Sequence, residues 1–413
     1  MTTGTSARIP SPQTSTASGH QSSEAPTSIE DTKIRARRVA QIAAQHADDV
    51  DRRGRHPEEA IRAAQAERLL GIMAPTELGG EGAAISEVAE VCYILGQACA
   101  SAAMIYAMHQ VKVACIVRHG LTSAWQRDFL RNLLADQLLL ASSTTEGKSG
   151  GDIRSSEAPI EAVEGRISLV RDASVISYGA NADAIATTAR RAPDAAASDQ
   201  VLVVFMRRDY ALEPVAGWDT LGMRGTCSAG FTLRASGDAG QVLPQPYSAI
   251  HAQTMVPASH ILWSSVWAGV ASAAVERARL HTRRALRGAS GAIPPSAHYF
   301  SKSHADLRSL RALIATGMDR YAALASDPEA LSTVEFQSAI SLLKVDASEL
   351  AVSAAMNALR ACGLSGYRND SEVSVGRHLR DLLSAPMMIN NDRILQSVTG
   401  ATLLNEVFAS LRD

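Results

Sequence analysis

Aromatic residues are scarce: Phe, Trp and Tyr together make up 4% of the 413 residues. A core of this size must therefore be built from aliphatic side chains, and the abundant Ala and Leu favour helix. Positive charge is not in surplus either. The formal net charge is −2 and no basic block occurs, which argues against nucleic acid as a partner, because phosphate binding takes a positive stripe. No uninterrupted apolar run reaches the ~18 residues of a bilayer crossing, so no transmembrane helix and no membrane partner are expected. Paired cysteines are missing too. Cys92, Cys99, Cys115, Cys227 and Cys362 contain no C-x-x-C spacing, and an odd number of scattered thiols suits a reducing cytoplasm, where they serve as small core residues. Residues 1–28 hold one basic residue, Arg8, and no apolar segment. They are expected to be a disordered tail rich in Ser, Thr, Pro and Gly, not a signal peptide.

What is present is helical periodicity at both ends of the chain. From Ser28 the apolar residues Ile34, Val39, Ile42, Ala43 and Ala47 recur at helical spacing. His56-Pro57-Glu58-Glu59 opens a second helix with Pro in its first turn. Two buried helices over 86–100 and 101–119 and a third over 122–137 complete an N-terminal helical domain, 29–137. Between 138 and 258 the pattern changes to short strands: Ala184–Ala189, Gln200–Met206 and Gly230–Arg234, with a hairpin turn at Val163-Glu-Gly-Arg-Ile. This predicts a middle, antiparallel β domain. From Ser259 to the end the pattern is again helical, over 260–288, 298–325, 333–361, 373–384 and 391–411. The predicted class is α+β, mainly α, with a C-terminal four-helix bundle over 259–413.

At the first switch from helix to strand lies Ser142-Ser-Thr-Thr-Glu-Gly-Lys-Ser-Gly-Gly-Asp152. Its hydroxyls supply donors, and its glycines let backbone N–H groups approach a ligand. The stretch from Thr144 to Asp152 resembles the T-E-P-x-x-G-S-D motif of the acyl-CoA dehydrogenase family of flavoproteins. Three other stretches are similar to motifs of that family: Ser177-Tyr-Gly-Ala-Asn-Ala-Asp183, Leu221-Gly-Met-Arg-Gly-Thr226, and Arg287-Gly-Ala-Ser-Gly291 followed by His298. Near the C-terminus, Cys362-Gly-Leu-Ser-Gly-Tyr367 resembles its G-G-x-G-Y turn, and Arg380-Asp381 its R-D pair.

The resemblance implies an FAD site. Thr144, Thr145, Gly150 and Gly151 would bind the flavin ring, and Ser177 would face flavin N5, with Val175 where the family carries a Trp. Leu221–Thr226 would be mainly a strand-connecting turn. Arg287 would contact the pyrophosphate, with His298 at the following glutamine position, and Gly363 would lie beside the adenosine portion. Asn391 joins these cofactor-binding candidates. Because the family's FAD is held partly by a neighbouring subunit, a homo-oligomer is implied, a dimer or tetramer.

The family's usual catalytic Glu falls at Ile389, and the position used by a minority of members falls near Ile261. Neither is acidic, and no Asp or Glu occurs between Asp238 and Glu276. Four readings follow. The chain oxidises an acyl thioester, on CoA or a carrier protein, by α,β-dehydrogenation with a relocated base such as His260. In that case electrons pass to a flavoprotein acceptor; otherwise His260 is a surface residue at a helix start. Alternatively it is a monooxygenase of the same fold that reacts with oxygen, in which His109 occupies an active-site position, or else is a hydrogen-bonded core residue. It could also catalyse a thioester elimination needing no base, or be a non-catalytic flavin scaffold. On the family's geometry Met388 and Ile389 would wall the substrate pocket; otherwise they are ordinary core of the last helix.

Overall fold

The computed structural model describes residues 1–2, 29–146, 154–288 and 293–403. Five helices open the fold: α1 (Ile29–Arg53), α2 (Glu58–Ala66), α3 (Ile85–Ala98), α4 (Ala100–His119) and α5 (Ala124–Asp136). On α1 the buried Thr32, Ala36, Val39, Ala43, Ala47 and Val50 form one stripe at three- and four-residue spacing. At α5, Ser123 caps the start by accepting the Gln126 N–H. Helix α4 departs from the composition-based expectation, because it is long and apolar enough to cross a membrane. It is instead packed inside the protein, with Met104, Ile105, Tyr106 and Val113 all within 1% of full burial. It also carries three polar side chains in its middle, His109, Gln110 and Lys112, each buried.

The middle segment holds β1 (Leu140–Ser143), β2 (Glu161–Val163), β3 (Arg166–Ala173), β4 (Ala184–Arg190), β5 (Gln200–Met206), β6 (Tyr210–Ala216) and β7 (Gly230–Asp238). They form a four-stranded antiparallel sheet, β2-β3-β7-β6, and a three-stranded sheet, β1-β4-β5. The hairpin joins β2 to β3 through Glu164 and Gly165, both at positive φ (48° and 77°), as a tight two-residue turn requires. One pairing is not antiparallel: β1 runs parallel to β4, with Leu140 opposite Ala184. The forty residues between these strands provide the crossover that parallel pairing demands.

After α6 (Tyr247–Ile250) the chain makes one π-helical stretch, His251–Met255, before entering α7 (Val256–Gly288). The helices α8 (Ala297–Leu324), α9 (Pro328–Leu331), α10 (Val334–Cys362), α11 (Leu364–Tyr367), α12 (Gly376–Leu382) and α13 (Asn391–Thr402) follow. The long helices α7, α8 and α10 pack together around Trp267, Leu310, Phe336 and Ala351. Helix α7 also crosses α3 at close range: a Cβ on Gly96 would lie 2.5 Å from the Val266 carbonyl oxygen, and one on Gly269 would lie 2.3 Å from that of Tyr93. That crossing joins the first helices to the last ones, with the β sheets against one flank and a cavity between the three parts.

Candidate functional site

The cavity has a volume of about 540 Å³, within the range of small-molecule and cofactor sites. One wall is hydroxyl-rich and comes from the β segment. Ser142, Thr144 and Thr145 leave the end of β1, while Ser177, Thr226 and Ser228 come from two facing loops. The hydroxyls of the last three form a chain: Ser177 Oγ lies 2.7 Å from Ser228 Oγ, which lies 2.8 Å from Thr226 Oγ1. Backbone hydrogen bonds from Ile176 to Ala229 and from Tyr178 to Thr226, each 2.8 Å, hold the loops together. Tyr178, in the left-handed region at φ 45°, donates its hydroxyl to the Leu140 carbonyl and so ties the Ser177 loop to β1.

Thr144 and Thr145 are fixed by the residue after them. Glu146 is buried, pairs with the Arg171 guanidinium at 2.8 Å, and accepts from Ser156 Oγ and the Glu157 N–H, each at 2.7 Å. Arg171 also donates to the Thr188 carbonyl. Burial holds the Arg171 pKa down at about 10; the guanidinium remains charged at neutral pH and offsets the carboxylate. Gly150 and Gly151 lie outside the described residues.

The opposite wall is apolar: Met104, Met108 and Val111 of α4, Met255 of the π-helical stretch, and Met388 and Ile389 before α13. Trp218 and Trp263 close the sides. Ile389 has φ 44°, a strained conformation for a β-branched residue, worth about 1–3 kcal/mol. Lys344 holds it there, donating to the Ile389 carbonyl (3.1 Å) and to Asn391 Oδ1 (2.6 Å). Asn391 in turn donates to Ser348 Oγ at 3.0 Å. Its buried side chain is thus committed to this turn and is not on the cavity wall.

The Leu221–Thr226 segment does more than connect strands. Gly222, Met223 and Thr226 line the cavity, and Trp218 Nε1 donates to the Met223 carbonyl at 3.1 Å. The Arg380-Asp381 pair clamps this segment from α12. Asp381 accepts the Met223 N–H at 2.7 Å, and Arg380 donates to the Leu221 carbonyl at 2.9 Å while pairing with Asp51 of α1. Burial pushes the Asp381 pKa up to about 6. At Gly222 a Cβ would sit 2.1 Å from the Arg380 carbonyl oxygen, so only glycine fits.

Neither candidate histidine lines the cavity. His109 is fully buried, with Nε2 donating to the Leu70 carbonyl (2.8 Å) and Nδ1 accepting the Leu140 N–H (3.0 Å). Both nitrogens are taken by backbone, which fixes the neutral tautomer, and burial lowers its pKa to about 4. His260 is not at the surface but buried in α7, with Nδ1 2.9 Å from the Ile340 carbonyl and a pKa lowered by burial to about 4. Ile261 is likewise buried away from the cavity. Arg287, His298 and Gly363 lie elsewhere, at the end of the bundle where α7 stops, α8 starts and α10 stops. Arg287 and His298 are exposed there. Sequence reasoning missed Trp218, Ser228, Met255 and Lys112. Lys112 was visible as a lysine inside the apolar helix over 101–119.

Two family descriptions match the chain, "Acyl-CoA dehydrogenase, N-terminal domain" over residues 30–137 and "Acyl-CoA dehydrogenase, C-terminal domain" over residues 252–389. Together they span more than half of it. A curated relative, "Probable acyl-CoA dehydrogenase fadE25" of Mycobacterium leprae (strain TN), is 32% identical over 122 residues, 30% of this chain and 31% of that protein's length. Among solved structures, FMN-bound TdsC from Paenibacillus sp. A11-2, a dibenzothiophene monooxygenase, has a TM-score of 0.79 at 18% identity, covering 91% of this chain and 98% of the other. Butyryl-CoA dehydrogenase from Megasphaera elsdenii has a TM-score of 0.75 at 18% identity, covering 92% and 99%. At that identity the likeness is one of fold.

Proposed function

The chain belongs to the acyl-CoA dehydrogenase family, and from that premise we propose that its cavity binds a flavin and serves the oxygenation of a small, largely apolar substrate. The residues present fit a flavin ring. Hydroxyls from Thr144, Thr145 and Ser177 offer partners to its polar edge, and Met388, Ile389 and the two tryptophans keep water from its faces. Trp263 Nε1 and Tyr247 Oη, on side chains that line the cavity, are buried without hydrogen-bond partners among the described residues, as expected of a site completed by a ligand. A flavin there supplies two-electron chemistry, accepting a hydride or, once reduced, delivering the electrons that divide dioxygen between substrate and water.

The choice between those uses rests on one observation: among the described residues no carboxylate stands on the cavity wall. The ionisable groups lining it are Lys112, Tyr247 and Arg380. Removal of an α proton needs a base within hydrogen-bond reach, and Ile389 stands where the family's Glu would be. A second reading has its own support. Burial lowers the Lys112 pKa to about 8, close enough to neutrality for its amine to act as the relocated base of an acyl-thioester dehydrogenase.

FAD is the expected flavin; in a homo-oligomer Arg287 of a second copy would hold its diphosphate and the Gly363 turn its adenosine portion. Leu364 and Tyr367, 72% and 73% exposed beside Gly363, support such a contact. Chromatography of the extracted flavin and sedimentation of the loaded protein check both points. The reaction itself is tested by supplying reduced flavin, isotopically labelled dioxygen and a panel of small aromatic compounds. Label in a product by mass spectrometry is the expected result. Unlabelled products throughout, together with hydrogen loss from an acyl-CoA, would favour the second reading.

A further inference from the structure

We propose that Lys112 anchors a substrate carrying a single ionised oxygen, of the phenolate or enolate kind, on an otherwise apolar body. Its role rests on the cavity being the flavin and substrate site, and adds the substrate class to that reading.

Lys112 lies on the cavity wall and is 4% exposed. An ammonium has three donors and no acceptor. Among the described residues its one hydrogen-bond contact is the Met255 sulfur at 2.7 Å, a weak acceptor that leaves two N–H groups unmet. Among the described residues no Asp or Glu acts on it, and the electrostatic neighbour that does is the Cys115 thiol. Met108 and Met104 lie one and two turns back along the same face of α4 and also line the cavity. A buried charge without a partner is costly, and its presence on a cavity wall points to a ligand that completes it. Trp263 Nε1, on a side chain that lines the same cavity, is a second donor without a partner among the described residues. Both groups donate, so the complement is an acceptor. An ammonium is a point charge and not a two-pronged fork, which suits one oxygen better than a carboxylate. The methionine wall suits an apolar remainder.

The test uses the full-length, flavin-loaded protein and two probes of similar shape, 4-nitrophenolate and neutral 4-nitroanisole, titrated spectroscopically. Wild type is expected to bind the phenolate at least about tenfold more tightly, the equivalent of one good polar contact. Lys112→Met should lose that preference and still bind 4-nitroanisole, while Lys112→Arg keeps part of it. Equal wild-type affinities, or a preference undiminished in Lys112→Met, would overturn the assignment. The visible flavin spectrum of each variant separates the two levels. Normal flavin with no phenolate preference sinks the anchor alone, and a wild type that takes up no flavin sinks the parent reading. Loss of flavin only in Lys112→Met would assign the lysine to the cofactor and likewise overturn the anchor.

Discussion

His109 and Lys112 lie three residues apart on the same buried helix and differ in one respect. Every polar atom of the His109 ring has a backbone partner, whereas the Lys112 ammonium has one thioether. The sequence made His109 conspicuous through the family resemblance, which puts it where some monooxygenases of the fold carry an active-site His. It passed over Lys112, because helical periodicity says that a residue is buried and not what faces it. His109→Ala would strand the Leu140 N–H in the core and leave the Leu70 carbonyl with only the 3.3 Å bond from Gln110. The expected loss is about 3–5 kcal/mol in chemical denaturation, and a loss below 1 kcal/mol would contradict the bracket role. Lys112→Met should act in the opposite direction. The folded pKa of about 8 lies below the ordinary 10.5, so the unfolded chain binds the extra proton. The penalty is full below pH 8 and disappears as pH rises towards 10.5. At pH 7 the variant should be more stable than wild type by roughly 3 kcal/mol at most, with the difference shrinking above pH 8. A less stable variant at pH 7 would mean that the ammonium has a partner in the free protein.

At the scale of elements, the helices were legible because burial on one face leaves a three-to-four spacing in the sequence, as α1 shows. The strands Ala184–Arg190 and Gln200–Met206 were legible from their β-branched content, although both are buried along nearly their whole length and carry no one-face alternation. The parallel pairing of β1 with β4 was not, since register between distant strands is written in neither strand alone. The π-helical turn at His251–Met255 was hidden too, although it brings Met255 to the cavity. The site was half legible. Thr144, Thr145, Ser177, Met388 and Ile389 meet at one cavity, while Trp218 and Ser228 come from loops whose course depends on the clamp between Gly222 and Arg380-Asp381. That clamp has a direct test. Gly222→Ala drives a methyl group into the Arg380 carbonyl, and backbone on both sides leaves little room to yield. A loss of about 2–3 kcal/mol is expected, with weakened flavin uptake because Met223, Thr226 and Trp218 shift with the loop. Wild-type melting and flavin content in that variant would show that the clamp does not shape the cavity.

At the scale of the whole molecule, acid should be more damaging than the near-neutral net charge suggests. Burial lowers the pKa of His56, His109, His119 and His260 to about 4. The unfolded chain takes up these protons from pH 6.5 downwards and the folded chain does not, so stability falls as pH drops from 6.5 to 4. Asp381 works against this. Its folded pKa of about 6 exceeds the ordinary 3.8, so it contributes stability as pH falls through the same window, but the imidazoles, with that of His378 also held well below its ordinary value by burial, outnumber it. Melting temperature should therefore decline steadily between pH 6.5 and 4, and a flat profile would contradict the buried neutral imidazoles. The central claim concerns chemistry: a flavin site of the acyl-CoA dehydrogenase fold whose wall, among the described residues, carries no carboxylate base. Its most direct measurement is the visible absorbance of the flavin-loaded protein, first shown to be reducible by dithionite, after anaerobic mixing with acyl-CoA thioesters of short to long chain. The flavin is predicted to stay oxidised with every one of them, and bleaching by any would contradict the account.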